Sequence, residues 1–444
     1  MHSKLHARGH ALVALTLLAA AAASQAQTVA TGDSRVVRQP MVPPVCMTLT
    51  AQYDGSLRAT PPATAVDDTA SIQNALNACA NTGKVVALAA SSTGKNAFYS
   101  GQLTASGVGI VVRSGVTLYG SNYNKALGAL ITFTGTNASL MGPGTVDGRG
   151  DLVGNTYKNR LIQGSNINNF IIYNVKLTQS IYPNIYVEGG NGLTIWGVTI
   201  RTPSDRANAD GIDIDSLTNA TVTNSSIEAG DDGVAVKTNS NNASNVTVSN
   251  NYLYGTHGLS IGSDYANTVS NILFLNNYVD SMDLPTTIGG TGTYTSDSNG
   301  ARIKTGPCAL NINTVSYVNT CVTNSKHLIV VDTQYLSSCT TGTATPGDPV
   351  MSNIVINGFY ATNSQKNSYS TFRGQAPTDT PLGVYLGNVN VDLNKQQNDQ
   401  YANVTLFNSN DVPTATGPGV NVTTLTTAPL AGSVPSCNFV VPAN

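Results

Sequence analysis

The feature that most limits what this chain can fold into is a nine-residue frame that recurs along its middle. Asn169-Phe-Ile-Ile-Tyr-Asn-Val-Lys-Leu177, Gly192-Leu-Thr-Ile-Trp-Gly-Val-Thr-Ile200, Asn219-Ala-Thr-Val-Thr-Asn-Ser-Ser-Ile227, Asn245-Val-Thr-Val-Ser-Asn-Asn-Tyr-Leu253 and Asn271-Ile-Leu-Phe-Leu-Asn-Asn-Tyr-Val279 align without a gap, their starts 23, 27, 26 and 26 residues apart. Weaker copies begin at Asn313 and Asn353, after 42 and 40 residues, and read as coils carrying insertions. A repeat of this length cannot bury its own apolar face and must stack on its neighbours. Short β runs with no helix between them make the stack an all-β, single-domain, right-handed parallel β-helix. Ahead of it, Asp67-Asp68-Thr69 precedes apolar residues at helical spacing from Ala70 to Cys79, which predicts one short N-terminal capping helix.

Charge fits that reading. Only 22 Lys+Arg and 24 Asp+Glu occur among 444 residues, about 10% against roughly 25% in an ordinary soluble domain. Helical surfaces need more charge than this, and disorder needs less hydrophobicity. Asn, Ser, Thr and Gly fill the polar positions, and Asn side chains can ladder from coil to coil. The N-x-S/T matches, beginning with Asn137, are read as this turn chemistry and not as glycosylation sites.

Residues 1–26 read as a secretory leader: Lys4 and Arg8, an apolar run from Ala11 to Ala23, then Ser24-Gln25-Ala26. The run is too short to span a bilayer. Its removal leaves 20 basic and 24 acidic residues, so the expectation is a secreted, soluble, slightly acidic monomer of residues 27–444. Its coil core would cover about 45–405, with a Thr/Pro-rich segment at 408–444. Cys46, Cys79, Cys308, Cys321, Cys339 and Cys437 suit an oxidising compartment, and Cys46 with Cys79 is the pair we favour. No C-x-x-C pair or His-rich neighbour supports a metal site.

Against the uncharged background, four segments stand out: Asn208-Ala-Asp210-Gly, Gly230-Asp231-Asp232-Gly233, Gly255-Thr-His257-Gly258 and Arg302-Ile-Lys304. Asp210 to Asp231 is 21 residues and Asp232 to His257 is 25; His257 to Arg302 is 45, which leaves room for one or two further coils. Residues one period apart in a solenoid lie about 4.8 Å apart, so three carboxylates, an imidazole and two cations converge on one face. Gly230 and Gly233 are expected to let the backbone turn so that Asp231 and Asp232 reach the same patch. Three acids together repel, so at least one should stay protonated near neutrality. One neutral and one ionised carboxyl suffice for glycoside hydrolysis, and Arg302, Lys304 and His257 call for an anionic substrate. The overall acidity argues against nucleic acid.

These segments resemble the signature set of glycoside hydrolase family 28, the polygalacturonases: N-x-D, G-D-D, G-H-G and R-I-K, in that order. Gly144-Thr-Val-Asp-Gly-Arg149 resembles the stretch that precedes them, and the likeness spans roughly 45–360. The resemblance implies a right-handed parallel β-helix without a cofactor, hydrolysing α-1,4 bonds of demethylated pectin with inversion. By position it implies Asp231 as general acid, Asp210 and Asp232 as the pair that orients and deprotonates water, and His257 as support for the acid. Arg302 and Lys304 match the residues that bind the substrate carboxylate; Tyr335 and Asn208 join them as substrate-binding positions. Ala209 and Gly233 stand where many members carry Thr and Cys. Rhamnogalacturonan hydrolases of the family tend to lack G-H-G and R-I-K, which favours homogalacturonan.

Other charged and aromatic residues take blander readings. Asp213 and Asp215 alternate with Ile and read as a solvated or laddered strand face; Lys237 reads as the structural partner of an acid; His327 reads as a surface residue, and Tyr335 is balanced between sugar contact and buried packing. The stretch Leu284 to Gly300 reads as an insertion that walls one end of the cleft. Endo action is expected, with exo-polygalacturonase and xylogalacturonan hydrolase as alternatives within the family. A pectate lyase-like enzyme, or a β-helix adhesin without catalysis, are the alternatives from other classes.

Overall fold

A computed structural model describes residues 27–121, 128–153, 158–265, 267–295, 297–339, 346–375, 381–393, 397–414 and 417–437. The expected leader and the last seven residues of the Thr/Pro-rich segment lie outside them.

Among the described residues, 29 strands form one stack, and the named strands pair in parallel throughout. It is the parallel β-helix that the repeat predicts. Three strands make up each coil. One row contains 160–165, 185–188, 212–215, 234–238, 259–265, 299–304, 327–332 and 369–373; a second contains 170–173, 193–196, 220–223, 246–249 and 272–275; a third contains 176–178, 199–201, 226–228, 252–254 and 278–280. Inside runs one continuous apolar column, with Ile162, Ile185, Ile212, Val234, Leu259, Ala301 and Ile329 stacked in register and all buried.

The frame residues explain why the chain turns where it does. Asn169, Gly192, Asn219, Asn245 and Asn271 open the frame, and Asn174, Gly197, Asn224, Asn250 and Asn276 stand five residues on; all ten have positive φ, between 51° and 87°. Asn and Gly are the residues that tolerate this left-handed conformation, so the recurrent Asn is a backbone requirement first. It is also a ladder: Asn271 Nδ2 donates to Asn245 Oδ1 at 2.8 Å and Asn319 Nδ2 to Asn276 Oδ1 at 3.1 Å. The copy expected from Asn313 is displaced by one residue. Thr314, with φ 54°, is the register mate of Asn271 and Asn353, because Ile272 pairs with Val315 and Val315 with Ile354.

The capping helix is Thr69–Ala78, and its Ile72, Ala75 and Leu76 close the apolar column. The disulfides are Cys46–Cys79, as favoured, Cys308–Cys339 and Cys321–Cys437. The C-terminal segment holds both a last strand, Asn421–Thr424, and a tail that returns along the stack: Ala431 O accepts from Asn357 Nδ2 at 2.8 Å, and Cys437 is bonded to Cys321.

The polar lead-in is a strap. Residues 27–39 run lengthwise over the stack, opposite to the direction of the coils. Thr28 N donates to Asn353 Oδ1, Ala30 N to Ser316 Oγ, Thr31 N to Asn271 Oδ1 and Asp33 N to Thr247 Oγ1; Arg35 Nη2 reaches Leu193 O, and Gln39 Nε2 reaches Tyr173 Oη. The Asp33 carboxylate, nearly fully buried, accepts from Thr221 Oγ1 at 2.7 Å and pairs with Arg35 at 2.7 Å.

Candidate active site

A groove of about 330 Å³ lies along the first strand row, and Asp210, Asp231, Asp232, His257, Arg302, Lys304, Tyr335 and Asn208 all line it. Register explains the convergence. Asp210, Asp232 and His257 each stand two residues before a stacked core residue, Ile212, Val234 and Leu259. Arg302 follows from Tyr186, Asp213, Ala235 and Ser260, which pair in turn along one outward-facing line. The strand of Arg302 therefore pairs directly with that of Ser260. The 45-residue gap after His257 holds a loop and no additional coil.

Glycine serves this site in two ways: Gly255 and Gly258, on either side of His257, take left-handed φ of 59° and 85°, whereas Gly230 and Gly233 serve through space. Gly230 and Gly233 do not have positive φ, so the turn that lets both Asp231 and Asp232 reach the groove is made without a left-handed backbone at either. A Cβ on Gly230 would lie 2.1 Å from Arg206 O, and one on Gly233 2.3 Å from the Leu253 side chain, so a side chain at either position would require its neighbour to shift.

The three acids have different surroundings. Asp232 is 1% exposed. Its Oδ1 accepts from Arg302 Nη2 and from Ser260 Oγ at 2.6 Å, and its Oδ2 accepts from Lys304 Nζ at 2.9 Å. Burial pushes its pKa up, but Arg302, Lys304 and Lys237 outweigh that and hold the carboxyl well below the ordinary range. Asp231 Oδ1 lies 2.9 Å from His257 Nδ1, whose Nε2 is 3.2 Å from Thr295 Oγ1. Burial raises Asp231 too; the His257 hydrogen bond and the nearby cations prevail, and its pKa is lowered.

Asp210 goes the other way. Burial and the adjacent Asp213 raise its pKa well above the ordinary value, opposed by Lys237, whose Nζ is 3.1 Å from Asp210 and 3.0 Å from Asp213. Asp213 is raised by the same burial. The expectation that crowding keeps one acid neutral thus falls on the Asp210–Asp213 pair, and Asp231 is not the acid with a raised pKa.

Several groove residues escaped the sequence reading. Asp213 faces the groove, 1% exposed, and does not lie on a solvated strand face; alternation with Ile fixes which side of the strand it occupies but not what covers that side. Asp215 is a buried anchor, accepting from Tyr186 Oη at 2.6 Å and Asn239 N at 2.9 Å. Lys237 is the acid partner expected. The Leu284 to Gly300 insertion does more than wall one end of the cleft. It folds back so that Leu284 N donates to Glu228 Oε1 at 2.8 Å and Ile288 O accepts from Gln179 Nε2 at 2.9 Å, then brings Thr295 and Asp297 into the groove. Asp297 pairs with Arg302 at 3.1 Å and with His327 at 3.3 Å, so His327 is a groove residue too, not a plain surface one. No periodic signal marks Asp297. Tyr335 is 45% exposed, with Lys304 Nζ 5.5 Å from its ring centre, which excludes a buried packing role.

One ligand atom each from Asp231, Asp232 and His257 lies within 4.8 Å of the others. A metal ion there would compete with Arg302 and Lys304 for Asp232, whose two oxygens they already hold, so the donor set does not suit one.

The groove continues past Arg302 into a second depression of about 280 Å³, lined by His327, Asp332, Tyr369 and Arg373. Its full course therefore follows the stacking axis, and it can hold an extended anionic chain across several coils.

Comparison with known proteins agrees with this geometry. The profile of the Glycosyl hydrolases family 28 matches residues 84–413. An endo-polygalacturonase of Pectobacterium carotovorum subsp. carotovorum is 35% identical over 350 residues, 68% of this chain and 78% of that protein. A polygalacturonase of Ralstonia solanacearum is 31% identical over 467 residues, 85% of each. The solved polygalacturonase of Erwinia carotovora ssp. carotovora superposes with a TM-score of 0.68 at 29% identity, covering 84% of this chain and 99% of that one. With a family match over most of its length and the four ordered motifs gathered in one groove, the chain belongs to family 28 of the glycosyl hydrolases.

Proposed function

We propose that this protein is a polygalacturonase that hydrolyses α-1,4-galacturonosyl bonds of demethylated pectin, endo-acting and with inversion. The observation that carries the reading is the division of labour among the acids: Asp232 is held ionised by Arg302 and Lys304, while Asp210 shares one cation with Asp213 and keeps a raised pKa. A base works best when its pKa lies near the operating pH. With the proton of the pair on Asp213, Asp210 is ionised beside Lys237 and is the stronger base toward water, and Asp232 is the fixed negative charge beside the oxocarbenium-like transition state.

Asp231 supplies the proton to the leaving oxygen. Its carboxyl, bonded to His257, has a lowered pKa on its own; a bound galacturonate adds negative charge beside it, which favours proton uptake. The glycosidic bond breaks as that proton arrives. Water attacks the anomeric carbon from the opposite face and gives its proton to Asp210, so configuration inverts. Arg302 and Lys304 present their remaining donors to the sugar carboxylate, and Tyr335 and Asn208 border the same space.

A groove that extends on both sides of the acids supports internal cleavage. Three disulfides and the leader-like residues 1–26 support export; no helix among the described residues is long and apolar enough to cross a membrane.

The test is a time course of product lengths from polygalacturonate with the anomer of the new end recorded. A broad early distribution of oligomers with inverted ends is expected. Steady release of monomer or dimer from the outset would replace endo with exo action, and an ultraviolet-absorbing unsaturated end would identify a lyase. Asp231→Asn should abolish turnover while oligogalacturonate still binds; near-normal turnover would remove Asp231 from the acid role.

A further inference from the structure

Among the described residues, one arginine or lysine of the groove has no carboxylate partner. Lys237 pairs with Asp210 and Asp213, Arg302 with Asp232 and Asp297, Lys304 with Asp232, and Arg373 with Asp332. Arg160, which also lines the groove, has no ion-pair partner among the described residues. Its Nη1 donates to the neutral Gln163 Oε1 at 3.3 Å, and its buried Nε has no acceptor among the described residues. The side chain is half-buried, and its Nε has given up water without gaining a partner, a cost that a bound anion would offset.

Its placement is defined. Arg160 stands two residues before Ile162, as Asp210 stands two before Ile212, and Ile162 stacks on Ile185 and Ile185 on Ile212. It therefore lies on the same line as Asp210, two coils earlier, about 10 Å away. Arg302 and Lys304 lie on the other side of the acids. The guanidinium carbon is 3.8 Å from the ring centre of Tyr186, whose hydroxyl is tied to the buried Asp215. That stack fixes the plane of the fork and leaves its N–H edge for a planar anion.

We propose that Arg160, laid flat on Tyr186, is a second carboxylate-binding position that reads an unesterified uronate about two sugar units from the bond being cleaved, across the acids from Arg302 and Lys304. This rests on the polygalacturonase reading and adds to it a charge requirement at a remote unit. A methyl ester there would remove the anion and leave Arg160 unpaired.

The experiment measures kcat/KM on oligogalacturonates of increasing length for the full chain, Arg160→Gln and Arg160→Lys. In the unsubstituted protein kcat/KM should rise steeply at the length that first reaches Arg160. In Arg160→Gln that rise should shrink by about tenfold, the worth of one charge-assisted hydrogen bond; Arg160→Lys, which keeps charge and bulk but not the fork, should restore part of it. A loss equal at every length, or no loss at any, would overturn the proposal. So would a Lys variant equal to the Gln variant with both folded normally. Failure of the unsubstituted protein to release reducing ends from polygalacturonate would instead overturn the functional reading on which the proposal stands.

Discussion

Glu228 should make this fold less stable as pH rises, and Glu228→Gln should remove the effect. The side chain is fully buried beneath the insertion, accepting from Leu284 N at 2.8 Å and from Thr287 Oγ1. Burial raises its pKa from 4.5 to about 7, more than those hydrogen bonds and Arg201 can offset. Below pH 4.5 the group is protonated folded or unfolded and contributes nothing. Between 4.5 and 7 the unfolded chain ionises first, so the folded state binds more protons and loses stability with each unit, about 3 kcal/mol in all. Gln mimics the neutral acid at every pH. The difference in stability between Glu228→Gln and the parent should therefore grow in favour of Gln by about 3 kcal/mol from pH 4 to pH 8, roughly 3 to 4 °C in Tm for a chain this long. Any constant offset from the amide's geometry cancels in that comparison. Paired thermal melts across the range give the answer. A difference that does not change with pH, or that favours Glu above pH 7, would refute the assignment of the burial penalty to Glu228.

Two further perturbations separate the site from its scaffold. Lys237→Met leaves Asp210 and Asp213 without their shared cation, so the acid limb of the kcat profile should move up by about one pH unit or more, with a tenfold loss below it; an unmoved limb would exclude Asp210 as the titrating base. Asp33→Ala removes the buried carboxylate of the strap and should lower unfolding stability by about 1.5–3 kcal/mol without changing kcat, because the strap and the groove lie on different strand rows; a matching loss of kcat would show the two to be coupled.

How much of this was legible depended on periodicity. The stack, the cap and the meeting of Asp210, Asp232, His257 and Arg302 follow from spacing, because a parallel coil converts a fixed interval into a shared position. The copy at Thr314 was misplaced by one residue because Asn313 offers the expected side chain while its neighbour takes the left-handed turn. Asp213 was misjudged because alternation cannot tell a covered groove from open solvent. Asp297 lies in an irregular loop, and the strap joins residues as far as 325 apart with no repeating signal of its own, so neither could be read from local pattern.

The strap also sets an order of assembly. A solenoid makes its contacts mostly between adjacent coils and can grow in the order in which it is synthesised. Here Thr28, near the start of the chain, docks on Asn353, among the last coils to be made. The beginning of the polypeptide must wait, unseated, until almost the whole column exists, and then closes over it in reverse. One practical corollary concerns fusion design: a tag joined ahead of residue 27 would emerge beside the C-terminal coils, far from the capping helix that follows it in sequence, and a bulky one would interfere with the final closure.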